Sequence, residues 1–144
     1  MTQEEKKLLL VDLCGRLPYG VKCQIDTGDA DVYVDTLATI TIDGCVCFLE
    51  TIDTEDVLEY GDIKPLLFPL SSMTEEQEEE LKTMYYSFNG MFHYTERIFD
   101  RIPFSKMKYF PYQIEEFFNK NHFDYRGLIP MGLAKDATGL NIYY

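Results

Sequence analysis

His122, Asp124 and Arg126 occupy alternating positions in NKNHFDYRGLIPMGLAKDATG, residues 119–139. An imidazole titrates near neutral pH, and a guanidinium grips anions through paired donors. A carboxylate beside them completes a set that active sites and ligand-binding loops both use. His122 is one of two histidines, and the stretch holds three of the nine glycines. One expectation is therefore a small enzyme or ligand-binding domain with a pocket near His122, Asp124 and Arg126. The same residues also have architectural uses. Asn121 suits a helix C-cap, and Asp124 suits the N-cap of a short helical turn, YRGLI. Tyr125, Leu128, Ile129 and Leu133 fall on one face at helical spacing, and Phe123 is the kind of residue that anchors a helix–helix corner. Pro130 interrupts any longer helix. Arg126 can pair with Asp124 or with an acid from a sheet. The favoured reading is a packed corner between two helical segments, with no catalytic residue assigned.

Other constellations are weaker. The chain has no GxGxxG, P-loop, GxSxG or HExxH. Cys45 and Cys47 would share a strand face, but their spacing is not that of a zinc knuckle, and His93 and His122 are far apart in sequence. No metal or cofactor is expected. A Cys–His pair using Cys14 or Cys23 has no local signature. Adjacent carboxylates such as Glu115-Glu116 carry no acid–base information in so acidic a chain, and neighbours do not share a helix face. The aromatic run MYYSFNGMFHY at 84–94 reads as packing, because base-stacking platforms come with a positive groove.

Charge excludes more than motifs do. The net charge is −12 over 144 residues, which opposes binding to nucleic-acid phosphates or to an anionic membrane surface. From Cys23 to Ile63 there is no Lys or Arg but eleven acids, and five more acids lie between Glu75 and Glu80. The plainer account is a set of solvated faces and loop tips. The sharper one is a recognition surface for a basic protein partner, with Asp29, Asp31, Asp35, Asp53, Glu55 and Asp56 as contact candidates. DTGDAD resembles a calcium loop only superficially, lacking the EF-hand glycine and distal Glu.

The elements that must position these residues are signalled locally. Thr2 and Glu5 form a capping box, and Leu9, Leu10 and Leu13 then predict a helix over about 3–14, ended by Gly15. Alternating β-branched residues predict three or four antiparallel strands between about 20 and 50, with Asp43-Gly44 as a hairpin turn. IKPLLFPLSSM, with two prolines, reads as a surface connector. Thr74 and Gln77 open a second capped helix running to about Phe88. HYTERIFDRI predicts a short helix, and PYQIEEFFNKN predicts a last clear one with Pro111 at its first position and Ile114, Phe117 and Phe118 on one face. The expectation is one α+β domain over 1–144, with a helix and acidic β-meander in 1–62 and a connector and helices in 63–144.

Nothing at the N-terminus reads as a signal peptide, no run approaches the ~20 apolar residues of a membrane span, and the four cysteines contain no CxxC. A cytoplasmic setting with mostly buried thiols is expected. The segments TQEEKKLLLVDLCGRLPYGV, IKPLLFPLSSMTEEQ and NKNHFDYRGLIPMGLAKDA resemble a family of small uncharacterised proteins of phages and mobile elements from gut anaerobic bacteria. The resemblance implies a phage-derived origin and supplies no activity, cofactor or site residue. The leading expectation is a non-enzymatic accessory protein that binds a partner protein through its acidic surface. A structural homo-oligomer is the third alternative, beside the pocket.

Overall fold

The capping box at Thr2 starts the chain's first helix, α1, Gln3–Arg16. Thr2 Oγ1 accepts from Glu5 N at 3.1 Å and Thr2 N donates to Glu5 Oε2 at 2.8 Å. The computed structural model describes residues 1–26, 32–40, 46–48, 63–89 and 112–143. The Asp43-Gly44 turn, the HYTERIFDRI helix and Pro111 lie outside them.

Gly15 does not end α1. It lies inside the helix because α1 passes close to a later helix there: a Cβ on Gly15 would meet Asn119 Nδ2 at 3.1 Å. The helix ends two residues on, in a 3-10 turn Leu17–Tyr19, and Gly20 closes it with φ 68°. The buried face of α1 carries Leu9, Asp12, Leu13 and Arg16, so two charged residues share its apolar stripe.

Strands β1 (Lys22–Asp26), β2 (Val32–Ile40) and β3 (Val46–Phe48) form the expected antiparallel meander. The connector reading of IKPLLFPLSSM is corrected. Ile63–Leu67 is strand β4, paired antiparallel with the free side of β1 and buried at Ile63, Pro65, Leu66 and Leu67. A two-residue strand, β5 (Lys135–Asp136), pairs with β4 in parallel, giving the order β3-β2-β1-β4-β5. The fold is α+β, but its sheet is mixed rather than purely antiparallel.

Pro65 is tolerated inside the sheet because its missing N–H faces away from β1. Val21 O accepts from Leu37 N on β2, so Cys23, two residues on, also turns its backbone groups to β2 and makes a non-hydrogen-bonded pair with Pro65. The register would next place Lys22 opposite Leu66. That rung is not formed. The Tyr143 hydroxyl is inserted instead, accepting from Lys22 N at 3.0 Å and donating to Leu66 O at 2.6 Å. Both backbone groups are thereby satisfied.

Helix α2 (Glu75–Asn89) starts at the expected Thr74–Gln77 box, and helix α3 (Tyr112–Lys120) buries Ile114, Phe117 and Phe118. The expected helical turn after residue 123 is replaced by successive tight turns, with Gly127 and Gly132 both at φ 74°. Tyr125, Leu128 and Leu133 are buried all the same, but they serve two cores. Leu128 and Leu133 join α1 and the sheet around Leu9, Leu13, Ile25 and Leu67. Tyr125 joins Leu81, Phe117, Phe118 and Phe123, stacking on Phe118 at 5.1 Å. No described helix is long and apolar enough to cross a membrane.

Candidate functional site

His122 is placed by the way α3 ends. Phe123 N donates to Phe118 O at 2.9 Å and His122 N to Asn119 O at 3.2 Å, the two bonds of a Schellman motif. Asn121 is thus the C-cap, and its side-chain amide also donates to Phe117 O at 2.9 Å. His122 takes the left-handed position, φ 61°, where Gly or Asn is usual. The segment then runs along the end of β4 as a parallel bridge, with Phe68 N donating to His122 O and Asp124 N to Phe68 O, both at 2.8 Å.

This geometry lays the imidazole on the ring of Tyr143, with centroids 3.6 Å apart and planes 13° from parallel. Phe68 meets the same tyrosine ring at 5.9 Å. His122 is buried, and its Nδ1 has no hydrogen-bond partner among the described residues. Burial first, then the positive charges of Arg16 and Lys22, lower its pKa to about 4. The ring is neutral at physiological pH. Burial likewise pushes the Tyr143 phenol up, so it stays a neutral donor in the seam.

Above this stack opens a cleft of about 370 Å³. The β4–α2 corner supplies Phe68, Ser72, Thr74 and Gln77 to its wall. The end of α3 supplies Lys120, Asn121, His122 and Phe123, and the tail supplies Thr138, Gly139 and Tyr143. Of the three residues expected to share a pocket, only His122 lines this one. Asp124 turns under its own loop, accepting from Leu128 N at 2.8 Å and Ile129 N at 2.9 Å, which is the capping use expected of it. Burial raises its pKa, opposed by those two backbone donors.

Among the described residues Arg126 pairs with neither Asp124 nor a sheet acid. It reaches Asp12 Oδ1 at 2.9 Å and Glu115 Oε1 at 3.1 Å, and its guanidinium lies over the Tyr125 ring at 4.6 Å. Asp12 Oδ2 in turn accepts from Arg16 Nε at 2.8 Å, and Arg16 Nη2 donates to Phe123 O at 2.7 Å. Asp12 and Arg16 are fully buried. Two cations and two carboxylates thus tie α1, α3 and the turn segment together behind the cleft. Sequence reasoning overlooked this network, although Asp12 and Arg16 lie four apart on the stripe of Leu9 and Leu13. Tyr143, Lys120, Gln77 and Thr74 were also not foreseen as cleft residues, and no local pattern marks them.

The acidic candidates fare differently. Asp29, Asp31, Asp53, Glu55 and Asp56 lie outside the described residues. Asp35 is corrected: it is buried on β2, on the same side of the strand as the core residue Leu37, with Oδ1 accepting from Thr36 N at 2.7 Å. A buried carboxylate is no part of an exposed contact surface. Cys23 is a core thiol raised in pKa by burial, then by Asp12 and Asp35, whereas Cys14 is exposed. Among the described residues no three His, Cys, Asp or Glu side chains are grouped to hold a metal ion. Comparison with family models, with characterised proteins and with solved structures gives no match.

Proposed function

We propose that this chain is a binding domain for a small ligand, held in the cleft between the β4–α2 corner, the end of α3 and the tail. The observation that carries the reading is His122. A non-glycine residue in the left-handed region costs about 1 kcal/mol or more, and a buried nitrogen without a partner costs about 1–3 kcal/mol. Both penalties coincide at one residue on the cleft wall. An asparagine would serve the same backbone position without an imidazole. Local rules broken together in this way are the mark of a functional site. Binding is favoured over catalysis because the described lining holds no carboxylate and no thiol to work with the histidine.

The test is a fragment-library titration of the isotope-labelled chain followed by NMR. Fragments that shift the amides of 120–123 and 138–143, and lose affinity in His122→Asn, support the reading. A library that produces no shifts confined to the cleft overturns it.

A second reading draws on charge. Glu75, Glu76, Glu79 and Glu80 are exposed on α2 in a chain of net charge −12, which supports capture of a basic protein partner by a phage-derived accessory protein. Binding that weakens as salt rises is its expected signature, and no partner captured at low salt overturns it.

A further inference from the structure

We infer that the ligand is a small aromatic carboxylate, an inference that rests on the cleft being a binding site. It follows from which hydrogen-bonding groups of the wall are already engaged. Thr138 Oγ1 donates to Asp136 at 2.6 Å, Ser72 Oγ to Pro69 O at 2.7 Å and Asn121 Nδ2 to Phe117 O at 2.9 Å. Tyr143 gives its only proton to Leu66 O. The Thr138, Ser72 and Tyr143 protons are taken, and Asn121 keeps one of its two amide protons. Gln77 Oε1 accepts from Thr74 N, and Thr74 Oγ1 accepts from Gln77 N, so that pair keeps its amide NH₂ and hydroxyl proton for another partner.

Lys120 adds three further donors and a positive charge, and it has no ion-pair partner among the described residues. Lys120, Gln77 and Thr74 together leave six donor hydrogens and a positive charge open on this wall. No Asp or Glu stands among the lining residues, in a chain with 25 of them. An acceptor-rich anion fits this wall, and Lys120, Gln77 and Thr74 are the groups that would meet it. The remainder is aromatic: Phe68, Phe123 and the His122–Tyr143 stack offer ring faces and edges to a flat apolar body. A volume of about 370 Å³ lies near the lower end of the usual range for ligand pockets and suits one ring or two fused rings.

Benzoate and its neutral isostere benzamide are the probes, titrated into the full chain by NMR and into Lys120→Gln. Lys120 is exposed, so the variant retains the fold. The expected result is that benzoate binds about fivefold tighter than benzamide, the difference between a charge-assisted and a neutral hydrogen bond. Lys120→Gln should remove that preference by weakening benzoate alone. Equal affinities, or benzoate binding unchanged in Lys120→Gln, overturn the carboxylate while leaving the binding cleft in place. If neither probe shifts the cleft amides although other library fragments do, the carboxylate again fails alone. If no fragment does, both inferences fall.

Discussion

At position 122 the backbone asks for glycine or asparagine and receives histidine, and the consequence is measurable. The imidazole titrates at about 4 in the folded chain, against about 6.5 when free. Above pH 6.5 neither state binds the proton, so the residue contributes no pH dependence. Between 6.5 and about 4 the unfolded chain takes up a proton that the folded chain refuses, and stability falls as pH falls. Below that window the slope from this group ends. His122→Asn, which suits the left-handed position, should remove this component, about 3 kcal/mol across the window. Urea unfolding of both proteins at pH 7.5 and 4.5 isolates it, since the carboxylates common to both cancel in the difference. Identical pH slopes would show that the ring is not held neutral.

Among the described residues, α1, α2 and the β1–β3 meander were legible because their signals are local. Two capping boxes gave the starts of α1 and α2, and alternation gave the β1–β3 meander. β4 was hidden because two prolines in IKPLLFPL argue for a connector, and what admits Pro65 to the sheet is its register against β1, which no local pattern shows. Gly15 was misread for a related reason. Its role depends on Asn119, on another helix, and no helical pattern shows that approach. Gly15→Ala should gain about 1 kcal/mol of helix propensity yet press its Cβ against the buried Asn119 amide. We expect a net loss of stability in the wild-type background and a gain when Asn119→Ala is already present. A double-mutant cycle by thermal unfolding reads the coupling, and additive effects would place the two helices farther apart than they are here.

On the scale of the whole molecule, cohesion runs through Asp12. Its two carboxylate oxygens engage Arg16 on its own helix and Arg126, which lies 114 residues on. Asp12→Asn leaves a fully buried guanidinium without its counter-charge and should cost about 3–5 kcal/mol. Arg126→Met should cost less, because that side chain is 16 % exposed and Asp12 keeps Arg16. Chemical denaturation of both variants checks the order, and a reversed ranking would move the centre of the network to Arg126. The same arrangement explains why only part of the candidate site was readable. Alternating positions placed His122, Asp124 and Arg126 together, but the turns after Phe123 send the histidine to the cleft, the aspartate under its loop and the arginine to α1.

The seam between β1 and β4 has a bearing on the order of assembly. Lys22 and Tyr143 are 121 residues apart, and the rung they complete lies in the interior of the sheet. Contacts of that span close late and slow the search for the native state. During synthesis β1 and β4 can meet at Gln24 and Lys64 long before residue 143 leaves the ribosome, but Lys22 N–H and Leu66 C=O must wait for their phenol. The middle of this sheet is made well before residue 143 and is finished only after it.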